Sequence, residues 1–233
     1  MAANAQIIDL RRVLAERFPK AHSARRAAPR EGLPAGLERL DAVLEGGWPR
    51  GRISELVTGG RGAGAVPVLH RLIERTAADG GFLALVDAAD GFDVDAADPA
   101  CLERLLWVRC TDAAQAIQAA DLLLRDRNLP QVVLDLSGAP PAQLRRIAAT
   151  TWHRFARLTE HHGATLLVMT PQPLVGTPAV RVRLRSRMTI EAVKDGPTAT
   201  LLRIRCELER SPALQSQSES ESEVDIASQA RRA

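Results

Sequence analysis

Cysteine is scarce in this chain: Cys101, Cys110 and Cys206 are the only three in 233 residues. An odd count without paired short spacing argues against a disulfide framework and against a zinc site. Free thiols fit a reducing compartment, so the expected location is cytoplasmic. No run of about 18 apolar residues is present, which argues against a transmembrane helix. The N-terminus lacks a basic start followed by an apolar stretch and a small-residue cleavage site, so no signal peptide is expected. No Ser-His-Asp or Cys-His arrangement stands out. His161 and His162 precede Gly163 at an expected helix end, where a cation suits the dipole. They are not read as metal ligands, and no metal or other cofactor is expected.

What is present fits one soluble domain with tails: 45% of the residues are hydrophobic and 25% charged. The net charge of +3 is modest, and its distribution says more. Residues 1–30 carry seven Arg or Lys against Asp9 and Glu16, a net +5, whereas 211–233 carry four acids against Arg231 and Arg232, a net −2. A basic start suits an acidic protein face or nucleic acid.

Ile7, Leu10, Leu14 and Phe18 share one face of an expected amphipathic helix that Pro19 ends. Ala21 to Gly32 is basic and Pro-interrupted and reads as a linker. From Leu33 strand and helix alternate. Strands are expected at Ile53–Val57, Phe82–Val86, Leu105–Val108, Val132–Leu136 and Thr165–Met169. Helices are expected through Leu69, Leu72, Ile73 and Thr76, and through Ala116, Ile117, Ala120, Leu123 and Leu124. A longer helical stripe runs through Leu144, Ile147, Ala148, Thr151, Trp152, Phe155 and Leu158, from a start near Pro141. Near-continuous apolar strands need a sheet covered on both faces, and helical crossovers make it mainly parallel. Two further β-rich runs between Arg187 and Glu207 flank the turn signal Lys194-Asp195-Gly196-Pro197, an expected antiparallel hairpin at one sheet edge. The tail from Ser211 is rich in Ser, Gln and Glu and is expected to be disordered. The expected division is therefore 1–32, 33–210 and 211–233.

One loop carries chemistry. Thr58-Gly59-Gly60-Arg61-Gly62-Ala63-Gly64-Ala65-Val66 lies between a strand and a helix, with Gly59 and Gly64 separated by four residues. That is the position and spacing of a phosphate-binding loop, whose backbone N–H groups, helix N-terminus, Lys and Ser or Thr hydroxyl together hold phosphates and magnesium. Here Ala65 stands at the Lys position and Val66 at the hydroxyl position. Without both groups, phosphoryl transfer loses its main charge stabilisation. Val132-Val133-Leu134-Asp135 has the form of a Walker B strand, and Asp135 falls at the carboxyl edge where ligands bind in this architecture. Facing neither Lys nor hydroxyl, Asp135 is expected to keep a structural hydrogen bond.

Leu37-Glu38-Arg39-Leu40-Asp41 and Gly46-Gly47-Trp48-Pro49-Arg50-Gly51-Arg52-Ile53-Ser54-Glu55 resemble the segment leading into the nucleotide loop of bacterial RecA. The resemblance continues through the loop, Phe82 to Asp87, the Walker B strand, and Gly163 to Gln172, where the RecA strand ends in a nucleotide-sensing Gln. It spans roughly residues 7–207 and implies a RecA-like core: a mainly parallel α/β sheet flanked by helices. The departures are informative. Ala89 stands where the family's catalytic Glu follows the second strand. The stretch between Asp135 and Pro141 is very short where RecA carries its first DNA-binding loop, and only Pro173 to Pro178 stands for the second. A RecA-like chain with these losses is similar to the ImuA family of damage-induced mutagenesis, itself akin to SulA. That resemblance implies an SOS-response role in translesion synthesis, with RecA, the Y-family-like ImuB and a DnaE-type polymerase complex as partners.

Two surfaces are binding candidates. The opening helix with Arg17-Phe18-Pro19-Lys20-Ala21 resembles the arm by which RecA subunits grip neighbours. Leu10, Leu14 and Phe18 are the anchors, ringed by Arg11, Arg12 and Arg17. Arg181, Arg183, Arg185 and Arg187 alternate, so on a strand they form one basic stripe for DNA phosphates, as a weak contact, or for an acidic partner. The expected function is non-catalytic binding. A RecA-like ATPase with residual nucleotide binding and a SulA-like inhibitor of the division protein FtsZ are the alternatives.

Overall fold

The computed structural model describes residues 32–60, 64–126, 128–185, 204–210 and 223–225. All of them belong to the unit Glu31–Ala233. The opening helix and its arm, residues 7–21, lie outside the described residues, as do 186–203 with the expected turn.

Short helix α1 (Glu38–Val43) precedes strand β1 (Ile53–Val57) and helix α2 (Ala65–Ala78). Then come β2 (Leu83–Asp87), a one-turn helix α3 (Pro99–Leu102), β3 (Leu105–Arg109) and α4 (Ala113–Arg125). The rest are β4 (Gln131–Asp135), α5 (Pro141–Leu144), α6 (Ala149–His162), β5 (Thr165–Thr170), β6 (Val180–Leu184), β7 (Arg205–Arg210) and β8 (Glu223–Asp225).

Local signals set the helix ends. The Asp112 carboxylate accepts from Gln115 N–H at 2.8 Å, and the Gln115 side chain reaches back to Thr111 N–H at 3.2 Å, close to a capping box. α6 stops at Gly163, whose φ of 75° is left-handed and whose N–H returns to the Thr159 carbonyl at 2.8 Å.

The strand order is β3-β2-β4-β5-β1-β6-β7-β8. The first six strands are mutually parallel; β7 runs antiparallel to β6, and β8 to β7. Successive residues of the central strands face opposite layers. Leu83, Leu85, Val133, Leu167 and Met169 join Leu40, Trp48, Leu69 and Leu72 beneath α1 and α2. Ala84, Val86, Val132, Leu134, Leu166 and Val168 meet Ala116, Ala120, Trp152 and Phe155 beneath α4 and α6. With both faces covered, every position of β1, β2 and β5 is buried, which is why their sequences do not alternate. Phe155 is wholly buried, and removing its ring would cost about 3–5 kcal/mol. The edge strand β3 differs: Leu106 is 46% exposed.

Three expectations change in detail. The stripe from Leu144 to Leu158 is two helices, because Ala148 is extended (φ −66°, ψ 139°); no Pro or Gly marks that break. The antiparallel pairing exists, but it joins Val180–Leu184 to Arg205–Arg210, and β6 itself continues the parallel sheet beside β1. Within the tail expected to be disordered, Glu223–Asp225 pair with β7. An open sheet edge has unpaired N–H and C=O groups that even a polar segment can satisfy.

Candidate functional site

The loops after β1, β2, β4 and β5 meet at the carboxyl edge of the parallel sheet, the usual ligand position in open α/β folds. Thr58 follows β1, and its N–H and hydroxyl both donate to the Thr170 carbonyl, at 2.7 and 3.1 Å. Gly59 and Gly60 follow with φ of 66° and 105°; residues 61–63 lie outside the described residues. Gly64, at φ 93°, is the N-cap of α2, a conformation that costs glycine little. The half-buried Ala65 packs against the core, and Val66 is 57% exposed. Pro67 fits the first helical turn, where its missing N–H has no intrahelical partner. Left-handed glycines thus stand at both ends of the turn, and the first two residues of α2, Ala65 and Val66, are aliphatic.

Asp87 and Asp135 end adjacent strands in register. The buried Asp87 carboxylate accepts from Ala89 N–H at 3.2 Å and Phe92 N–H at 2.8 Å, which folds the loop after β2 back on the strand. Asp135 accepts from Ser137 N–H at 2.8 Å. Burial raises its pKa; hydrogen bonds from Ser137 oppose the shift, and the Asp87 charge adds to it. Ala89 is exposed and abuts the turn after β4: a Cβ on Gly138 would lie 2.8 Å from the Ala89 Cβ. Next to it Asp90, at φ 52°, takes two 2.6 Å bonds from the Arg109 guanidinium, which holds its carboxyl below the ordinary range. Gln172 is exposed in the bend after β5.

Sequence reasoning matched Glu55 to a motif but gave it no role. The structure makes it central. Its fully buried carboxylate accepts from the Thr170 hydroxyl (3.0 Å), Leu174 N–H (2.7 Å), Val175 N–H (3.0 Å) and Arg181 Nε (2.6 Å). Arg181 also donates to the Val175 carbonyl. This one carboxylate therefore holds the short β5–β6 connection to the core. No spacing rule predicts it, because every partner lies between residues 170 and 181, more than a hundred residues from Glu55 in sequence.

The arginine stripe is corrected accordingly. Arg181 is buried against Glu55, with its side chain 16% exposed. Arg183 pairs with Glu209 and Arg185 with Glu207. The alternation holds, but carboxylates of β1 and β7 neutralise it; Arg187 lies outside the described residues. The arm residues Leu10, Arg11, Leu14, Arg17, Phe18, Lys20 and Ala21 lie outside them too. Among the described residues no group of three His, Cys, Asp or Glu side chains could hold a metal ion, and no helix is long and apolar enough to cross a membrane.

A mainly parallel sheet in this order, with a glycine-rich turn after β1 and acids ending the adjacent strands β2 and β4, defines a RecA-like α/β fold. Comparison with known proteins gives the same class. No family model matches the chain. Among curated proteins it is similar to RecA of Nocardioides sp., 33% identical over 111 residues, which cover 46% of this chain and 31% of that protein. RecA of Mycobacterium tuberculosis is 26% identical over 214 residues, covering 78% of this chain and 27% of that protein. RecA of Mycobacterium sp. (strain KMS) is 26% identical over 216 residues, covering 79% and 62%. The chain thus spans less than two thirds of each. Among solved structures it shares the fold of the RadB recombinase, with a TM-score of 0.57 and 17% identity over 77% of this chain and 90% of that one.

Proposed function

We propose that this chain is a RecA-like accessory protein of the DNA-damage response that works by binding partners and not by hydrolysing ATP. The observation that carries this reading is the first turn of α2. There a loop with phosphate-loop glycine spacing is followed by Ala65 and the exposed Val66, which offer no cation to the β and γ phosphates and no ligand to magnesium. Ala89 adds to it: a methyl group stands where a general base would follow the second strand. The β5–β6 connection, tied to Glu55, leaves no long loop to close on DNA.

The finer reading follows the resemblance to the ImuA family: a role in SOS-induced translesion synthesis, with RecA and ImuB as partners. The basic segment 1–30 is the proposed RecA contact. The test has two arms. Purified chain is assayed for ATP binding and turnover, and is used to pull down RecA and ImuB with and without residues 1–30. The expected result is no turnover above buffer, with capture of RecA that depends on the arm. Turnover abolished by Asp135→Asn would replace this reading with that of an unconventional ATPase. RecA capture unchanged by the deletion would remove the arm's role.

A further inference from the structure

A groove of about 460 Å³ runs between α4 and the α5–α6 pair, on the helical layer remote from α2. Its floor is apolar, built from Ala114, Ile117, Ile147 and Ala148, and Gln118, Gln143 and Arg146 form its polar rim. The size falls within the roughly 300–1,000 Å³ range of sites that seat compact groups. The Ala114-Gln118 row continues one turn further to Leu122, which is 69% exposed. Leu122 therefore adds an exposed apolar side chain on the same face of α4, one turn beyond Gln118.

The charge beside it is unbalanced. Asp121 is shared between Arg125 and Arg154, and Glu160 is taken by Arg52. Arg145, Arg146 and Arg157 are exposed and make no ion pair among the described residues. Asp112, at one end of the groove, is engaged as the cap of α4. Arg146 lines the apolar slot and Arg145 precedes it in the turn between α5 and α6, while Arg157 lies farther along α6.

We infer that this groove binds an acidic peptide segment of a partner protein, with an aliphatic or aromatic side chain seated between Ile117 and Ile147. The partner's carboxylates would lie on Arg146 at the groove and on Arg145 beside it in sequence. An apolar floor with a cationic rim matches an amphipathic acidic segment. A nucleic-acid backbone would satisfy the arginines but offers nothing to bury on Ile117, Ile147 and Leu122. The inference does not depend on how the glycine-rich turn is read.

Random peptides displayed on phage, selected on the full chain, test it. Enriched peptides are labelled with fluorescein and titrated by polarisation against the wild type, Arg145→Glu/Arg146→Glu and Ile117→Gln. Melting curves check that each variant is folded. The expected result is enrichment of acids around one or two large apolar residues. Charge reversal should then weaken binding by about tenfold or more, roughly one charge-assisted contact, and Ile117→Gln should weaken it independently. Failure to enrich, enrichment without acids, or peptides that bind the charge-reversed chain unchanged would each overturn the proposal. So would a duplex oligonucleotide that binds with steep salt dependence and loses affinity in the charge-reversed chain while no peptide does; that result would assign the patch to nucleic acid.

Discussion

Replacing Arg181 with Met should destabilise this domain far more than removing either of its neighbours on the arginine stripe. In the wild type, Glu55 is fully buried and its charge is met by one guanidinium, one hydroxyl and two backbone N–H groups. Arg181→Met keeps most of the side-chain volume and removes the counter-charge, which leaves a buried carboxylate uncompensated. Breaking such a pair costs about 3–5 kcal/mol. At about 2–4 °C per kcal/mol for a domain of this size, the melting temperature should drop by roughly 6–20 °C. Arg185→Ala is the control. Its pairing with Glu207 leaves the Arg185 side chain 52% exposed, and exposed pairs contribute about 0–1 kcal/mol. Urea denaturation of both variants decides the matter. Adding Glu55→Gln to Arg181→Met should restore part of the loss, because the double variant no longer buries a lone charge. A loss below about 1 kcal/mol for Arg181→Met, matching Arg185→Ala, would refute the claim that Glu55 holds the β5–β6 connection through this ion pair.

Two further outcomes follow from titratable groups. Asp135 has a folded-state pKa raised by burial, so its ionisation opposes folding: the stability it contributes is complete below about pH 3.9 and is lost as pH rises through the folded value. Asp135→Asn should therefore raise the melting temperature at pH 7, with the gain disappearing in acid; a gain that is equal at both pH values would contradict this. Burial lifts the Cys206 thiol to about 12, and Cys110 is buried and likewise raised. Iodoacetamide at pH 8 should label the half-buried Cys101 first, and the other two at appreciable rate only in denaturant, as read by mass spectrometry.

Most of the architecture was legible from local pattern. Apolar runs such as Leu83–Val86 and Leu166–Met169 leave a buried parallel strand as the economical reading, and Gly163 after an amphipathic stripe marks a helix end. Glycines mark the end of β1 and the start of α2, where Gly59, Gly60 and Gly64 take left-handed φ values that other residues rarely adopt. The break at Ala148 was not legible, since no local breaker sets it. Nor was β8, which depends on an open edge supplied by another strand.

The same division runs through the candidate site. The amino-acid sequence alone determined which functional groups stand beside the glycine-rich turn, because Ala65, Val66 and Ala89 carry only aliphatic side chains whatever surrounds them. Tertiary structure decided what the charged residues do. Arg181, Arg183 and Arg185 read as a free cationic stripe until Glu55, Glu209 and Glu207 arrive from other strands. Arg145, Arg146 and Arg157 drew no notice until the same folding left them without carboxylates. A residue's functional groups are written in its own side chain, but the effect of its charge depends on neighbours distant in sequence, and only the fold brings those together.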